Sequence, residues 1–350
     1  MSADVACPAT AYRRHVRANV RVILVTFVLL LAALVVAVSL GAVPIAPTVV
    51  AKGLIGLPVG AREEMIIRAI RLPQALAAIA AGAGLAVAGA VMQSILRNPL
   101  GSPFTLGISH AAAFGAALAV MTTGTSATGS SDYAHPLFVT LAAFTSSLLA
   151  AGIIILVSRS RGATPESMVL AGVALGAIFT AATMFLQFFA DDVQLGAMVF
   201  WAFGDTARAS WQEVFLLLAG TAAISLFFFA ASWRYNALDA GDDTAKSLGV
   251  PVERTRLVGM LLSSLLTAII IAVLGIIGFV GLVVPHIMRR LVGADHRFLL
   301  PAAMLGGALL LLLSDTAARL VLAPQALPVS VLTAFMGAPL FLFLILRRQV

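Results

Sequence analysis

Apolar runs of about twenty residues recur along this chain, each ended by a cluster of glycine, proline or charged positions. Reading runs and breakers together predicts spans at 20–43, 69–96, 104–122, 136–157, 166–189, 211–233, 256–275, 277–291, 299–321 and 328–347. Only helices of that length satisfy their own backbone polar groups inside a bilayer, so the expected fold is all-α and polytopic, with about ten transmembrane helices. The eighth run is short for a crossing and reads as a tilted or re-entrant segment packed against protein. The division expected is a polar N-terminal tail at 1–21 and one membrane-embedded domain at 22–347, interrupted by a polar segment at about 234–256. The first apolar run follows RRHVRANVR, the layout of a signal peptide. Its length, Val22 to Val43, exceeds a usual signal core, and no small-x-small site precedes a soluble domain, so a retained helix is expected.

Composition narrows the class further. The 350 residues are 61% hydrophobic and 11% charged, against about 25% charged in a globular domain. The single cysteine, Cys7, excludes an internal disulfide framework and a multi-cysteine metal site. With alternating spans, one set of ends carries most of the arginines and lysines, among them Arg13, Arg14, Arg17, Arg97, Arg159, Arg234, Lys246, Arg254, Arg289 and Arg347. The other set holds only Lys52, Arg62, Arg68, Arg71, Arg208 and Arg319. That asymmetry predicts a cytoplasmic N-terminus and C-terminus in a multi-pass membrane protein. It also accounts for the net charge of +7 as topology, with lipid and not nucleic acid as the surroundings.

Chemistry of its own is scarce. The run AAGAGLAVAGA at 80–90 offers small residues for close helix packing, and it lacks the strand and third glycine of a dinucleotide loop. His110, His135, His286 and His296 fall into no zinc-ligand spacing, and no serine stands in a nucleophile elbow. Neither a catalytic nor a metal site is expected. Inside the spans Asp315 lies one helical turn from Arg319, where the two can pair, and no proton relay is visible.

The polar insert GDDTAKSLGVP at 241–251 ends its lysine-serine pair without the glycines of a phosphate loop, so the chain shows no nucleotide site. It reads as a short helix from Asp239 to Lys246, closed by Gly249 and by Pro251. Local pattern leaves two roles open: a solvated connection, or a lever against a cytoplasmic partner.

Motifs spread from about residue 70 to the C-terminus bear on that choice: RLPQAL at 71–76, QSILRNPLGSPFTLGIS at 93–109, FWAFGD at 200–205, AKSLGVP at 245–251, GFVGLVVPH at 278–286, DTAAR at 315–319 and LPVSVLTAFMGAPLFLFLI at 327–345. In this order and spacing the chain resembles the permease subunits of bacterial ABC importers for iron-siderophore complexes, haem and cobalamin. The resemblance implies a homodimer, or a pair with a close paralogue, with the substrate path along its interface. It also implies two cytoplasmic ATPase subunits using ATP and Mg, an extracytoplasmic substrate-binding protein, and no cofactor bound by this chain. It makes 241–251 the coupling helix, with Asp242, Asp243, Lys246, Ser247, Leu248 and Gly249 as contacts and Leu248 as the apolar anchor.

For docking of the binding protein the resemblance carries over Arg71 and Arg319. The family's second arginine in Arg-Leu-Pro-Arg is Gln74 here, and Arg68, one turn earlier, is the candidate replacement. Anchoring of helix ends at the interface is the competing role for Arg71 and Arg319. A second departure is Ile276, where the family has proline. His286 reads as a helix-end hydrogen-bonding residue, and Met92 and Gln93 as candidate pathway lining. The expected mechanism is alternating access driven by the partner ATPase, with a ferric siderophore as cargo and haem or cobalamin as alternatives. A stand-alone secondary transporter is the rival of another class; it would need an intramembrane ionisable relay or ion-site oxygens on broken helices.

Overall fold

The computed structural model describes residues 8–123, 136–323 and 325–346; Cys7, His135, Arg347 and Arg348 lie outside them. The helices in order are α1 (Pro8–Ser39), α2 (Pro47–Leu54), α3 (Ala61–Met65), a π-helical turn (Ile66–Arg71), α4 (Leu72–Ile95), α5 (Ile108–Thr123), α6 (Pro136–Ser160), α7 (Pro165–Phe189) and α8 (Asp192–Ala202). They continue with α9 (Trp211–Ala230), α10 (Ser232–Asp239), α11 (Asp242–Ser247), α12 (Val252–Leu274), α13 (Val280–Val292), α14 (His296–Val321) and α15 (Val329–Leu346). Every predicted span has a helical counterpart, and among the described residues 7 helices are long and apolar enough to cross a membrane. The eighth span is α13, whose 13 residues are as short as its apolar run.

Several boundaries differ from the expectation for physical reasons. Helix α1 starts at Pro8, so the polar stretch up to residue 21 is helical from there on and carries its arginines on the first turns of the span. The second span begins at Ala61 instead of 69, because α3, the π turn and α4 run on as one helix. Pro73 brings no N–H to the ladder and crowds the preceding turn, and the widened π turn directly before it is a usual accommodation of such a defect. The insert folds as two short helices, α10 and α11, broken at Gly241, whose φ of +113° suits glycine alone.

Helix α4 is the axis of the molecule. It packs against α14, α12, α13 and α9, and 89% of its most apolar window is buried. Its alanines and glycines bring backbones together: a Cβ added at Gly82 would lie 2.7 Å from the carbonyl carbon of Gly307 on α14, and one at Gly89 would lie 2.7 Å from the Cα of Gly281 on α13. Such small-residue crossings gain dispersion contact where lipid supplies no hydrophobic drive between helices. Thr221 on α9 adds a polar tie, its hydroxyl donating to the Ala80 carbonyl at 3.2 Å.

Candidate functional site

Polar side chains gather at the two ends of the helix block. At one end Arg71 is 7% exposed, and its guanidinium donates to the carbonyls of Val38 at 2.8 Å and Ser39 at 3.0 Å and to that of Val43. It thereby closes the C-terminus of α1, whose last carbonyls have no partners within the helix. Gly41 makes room for it, since a Cβ there would lie 2.6 Å from Arg71 Nη2. Asp315 and Arg319 form the expected pair, Nε to Oδ2 at 3.2 Å, with Arg319 also donating to Ala37 O at 3.2 Å. Asp315 Oδ1 accepts from Gln74 Nε2 at 3.1 Å and from the Thr206 hydroxyl. Gln74 therefore belongs to a buried network joining α4, α14 and the turn at Thr206, a role its position as a departure from the family pattern did not signal. Arg68, by contrast, is about half exposed and pairs with Glu64 at 3.1 Å.

At the other end the insert forms a bracket. Helix α11 buries Ala245, with Val250 buried just beyond its end, and exposes Asp243, Lys246, Ser247, Leu248 and Gly249. Leu248 is 62% exposed, directly before Gly249 with its φ of +78°. Asp242 is turned the other way: its Oδ1 accepts from Arg256 Nη2 at 2.6 Å and lies 3.7 Å from Arg97 Nη1. Arg256, 3% exposed, also donates through Nε to the Ile95 carbonyl at 3.1 Å. Asp242, grouped on sequence with the outward-facing contacts, thus also clamps the bracket from beneath, with its side chain 30% exposed.

His296, fully buried at the start of α14, was missed as a functional candidate because its partners come from distant parts of the chain. Its Nε2 lies 2.9 Å from Ser94 Oγ on α4, and its Nδ1 lies 2.9 Å from Asn236 Oδ1 on α10. Asn236 Nδ2 donates to Asp295 Oδ1 at 2.9 Å, and Arg289 Nη1 meets Asp239 Oδ2 at 3.2 Å. Hydrogen bonds from Arg297 and Asn236 hold the Asp295 carboxyl down at about 2. Burial pushes the Tyr235 phenol, whose ring lies 5.8 Å from that of His296, above its ordinary value.

Between the ends, Met92 is fully buried and Gln93, 5% exposed, donates to the Leu282 carbonyl at 3.2 Å, so both are enclosed by this chain's own helices. His286 sits in the middle of α13, not at its end. Ile276 pairs with Phe203 in an isolated parallel bridge, beside Gly275 at φ +80° and Phe279 at φ +66°. The link into α13 is thus an extended strand-like crossing, which isoleucine accommodates. Among the described residues no three His, Cys, Asp or Glu side chains come together as metal ligands.

Comparison with known proteins accords with this arrangement. Residues 29–347 match the FecCD transport family. A protein of Methanocaldococcus jannaschii named as an ABC transporter permease is 54% identical over 287 residues, 81% of this chain and 82% of that one. The hemin transport system permease of Yersinia pestis is 40% identical over 280 residues, 80% of this chain and 83% of that one. Among solved structures, a metal-chelate type ABC transporter in an inward-facing conformation superposes with a TM-score of 0.82 at 31% identity, covering 93% of this chain and 99% of that one. With a helix order, a polar bracket and a family match that extend over nearly the whole length, the chain belongs to the FecCD transport family of ABC importer permeases.

Proposed function

We propose that this chain is the permease of an importer that carries an iron chelate, a ferric siderophore, across the bacterial inner membrane, working as a dimer with two ATPase subunits and an external binding protein. The observation that carries the reading is the α10–α11 bracket: a polar surface footed on Arg256 whose tip, after α11, presents the exposed apolar side chain of Leu248, with the exposed Trp233 set apart at the start of α10. An isolated anchor inside a polar rim is how a small protein interface concentrates its energy. Asp243, Lys246, Ser247 and Gly249 form that rim, and Asp242 keeps it in place through Arg256. The bracket end also holds Arg97, Arg234, Arg254, Arg289 and Arg290, which supports a cytoplasmic orientation for it and for both termini. ATP and Mg are used by the partner subunits.

At the opposite end Arg68, about half exposed beside Glu64, can meet a carboxylate of a binding protein, and Arg319 offers its partly exposed edge. Arg71 supports that surface from beneath by capping α1. Cargo crosses along the dimer interface as the ATPases close and reopen, and this chain breaks no covalent bond. Haem is the second reading, favoured by the hemin-named relative at 40% identity.

The test is uptake of labelled ferric siderophores, haem and cobalamin into proteoliposomes holding this chain with its cognate ATPase and binding protein. ATP-dependent uptake of a ferric siderophore, abolished by Leu248→Asp in a variant that still inserts and folds, is expected. Uptake without the ATPase would return the secondary-transporter reading, and uptake of haem alone would replace the cargo.

A further inference from the structure

We infer that His296 is a positioning residue that transmits movement of the α10–α11 bracket to the last turn of α4, through Asn236 on one side and Ser94 on the other. The inference rests on the reading of the bracket as the surface that meets the ATPase. It begins from an oddity of composition: a histidine with no exposed surface, in a chain with 11% charged residues, joined to side chains from two other helices. Residues 94, 236 and 296 are brought together only by the fold.

The hydrogen-bond pattern fixes the state of the ring. Asn236 Oδ1 accepts from the backbone N–H of His296 at 2.8 Å, while its Nδ2 donates to Asp295. The oxygen therefore faces the ring, and Nδ1 must carry the hydrogen that it donates to that oxygen. Nε2 is left as the acceptor for the Ser94 hydroxyl at 2.9 Å, a much shorter contact than that hydroxyl's other acceptor, the Ala90 carbonyl at 3.5 Å. A neutral imidazole satisfied at both nitrogens is a strut of fixed length. Pulling either end away would strand a buried polar atom, at a cost of about 1–3 kcal/mol, so the bridge moves as a unit.

A parallel strut reaches the neighbouring residue. From α11, Asp242 holds Arg256, and Arg256 holds the Ile95 carbonyl. The two paths start on the two halves of the bracket and end on consecutive residues, Ser94 and Ile95, at the C-terminus of α4. Since α4 is packed along its length by α14, α12, α13 and α9, a displacement delivered there is passed to the helix block and is not absorbed by a side chain.

The experiment compares Ser94→Ala, Ser94→Thr, Asn236→Ala, the Ser94→Ala/Asn236→Ala pair and Leu248→Asp in the full complex in proteoliposomes, reading cargo imported per ATP hydrolysed alongside assembly and melting temperature. Ser94→Ala and Asn236→Ala are each expected to lower that ratio about fivefold, the scale of one buried hydrogen bond, with assembly intact. The pair is expected to be no worse than the poorer single variant, and Ser94→Thr, which keeps the hydroxyl, is expected to restore the ratio. An unchanged ratio in Ser94→Ala overturns the inference, as do multiplicative effects in the pair; if Asn236→Ala does not assemble, Ser94→Ala and Ser94→Thr decide alone. If Leu248→Asp leaves import intact, the coupling reading itself fails; if it abolishes import while Ser94→Ala does not alter the ratio, only the strut is rejected.

Discussion

Replacing Gly82 by alanine tests whether α4 and α14 are held together by backbone contact. The added Cβ would stand 2.7 Å from the Gly307 carbonyl carbon and 2.9 Å from Leu311 Cβ, where ordinary contact begins at 3.4 Å. The Gly307 carbonyl oxygen lies closer still, so the helices would have to part by roughly 1 Å, and this first obstacle is backbone, which cannot rotate aside as a long side chain would. Overpacking of this kind costs about 1–3 kcal/mol, and the rigid neighbour puts this site at the upper end. The gain in helix propensity from glycine to alanine returns about 1 kcal/mol, leaving a net loss of about 2 kcal/mol. Gly152 on α6 is the matched control, because nothing lies within 4 Å of a Cβ there, and Gly152→Ala should keep the propensity gain. Equilibrium unfolding in mixed detergent micelles, followed by tryptophan fluorescence and circular dichroism, reads both. Gly82→Ala should unfold at lower denaturing detergent than the native chain, and Gly152→Ala at equal or higher. If the two variants shift together, or Gly82→Ala is as stable as the native chain, the close crossing is not what holds these helices.

Arg71→Ala removes the donor that serves three carbonyls of the α1–α2 connection, so it should lower the thermal midpoint in detergent as well as any affinity for a binding protein; loss of affinity with an unchanged midpoint would assign Arg71 to docking alone. Asp295 has its carboxyl depressed by Arg297 and Asn236, so its contribution to stability is full above its ordinary value and is lost as pH falls through about 2. Asp295→Asn should therefore flatten the loss of stability on acidification from pH 5 to 2, measured by melting at each pH, and an unaltered acid limb would show that the depressed carboxyl does not matter to folding.

The membrane helices were legible because apolar run length is set by bilayer thickness, which acts on every span alike. The Asp315–Arg319 pair and the glycine stop after α11 were legible for a similar reason, as both are contacts within one or two helical turns. What periodicity could not supply was the direction in which a polar residue turns when two faces are available. Asp242 and Asp243 are neighbours of the same type, yet one clamps Arg256 and the other faces water. Arg71 likewise looked like a surface cation until Gly41 and the carbonyls at the end of α1 enclosed it. Helix α8 did carry a local signal that went unused: Asp191 and Gln194 form a reciprocal capping box at its start. The Ser94–His296–Asn236 bridge had none, since its parts are more than a hundred residues apart on one side and sixty on the other.

Gly82 and Gly89 are seven residues apart on α4, about 10 Å along its axis, and they touch two consecutive helices, α14 and α13. Together they act as a pair of notches. Sliding α4 lengthwise by one turn would put Ala78 or Ala86 in the place of Gly82, and Leu85 or Gln93 in the place of Gly89, each bringing a side chain against a carbonyl that now faces bare backbone. A piston stroke of the central helix is thereby blocked, while a common rocking of α4, α13 and α14 leaves both notches seated. Whatever cargo this permease handles, the geometry restricts its core to moving as a tilting block, with the changes of shape confined to the more loosely packed helices around it.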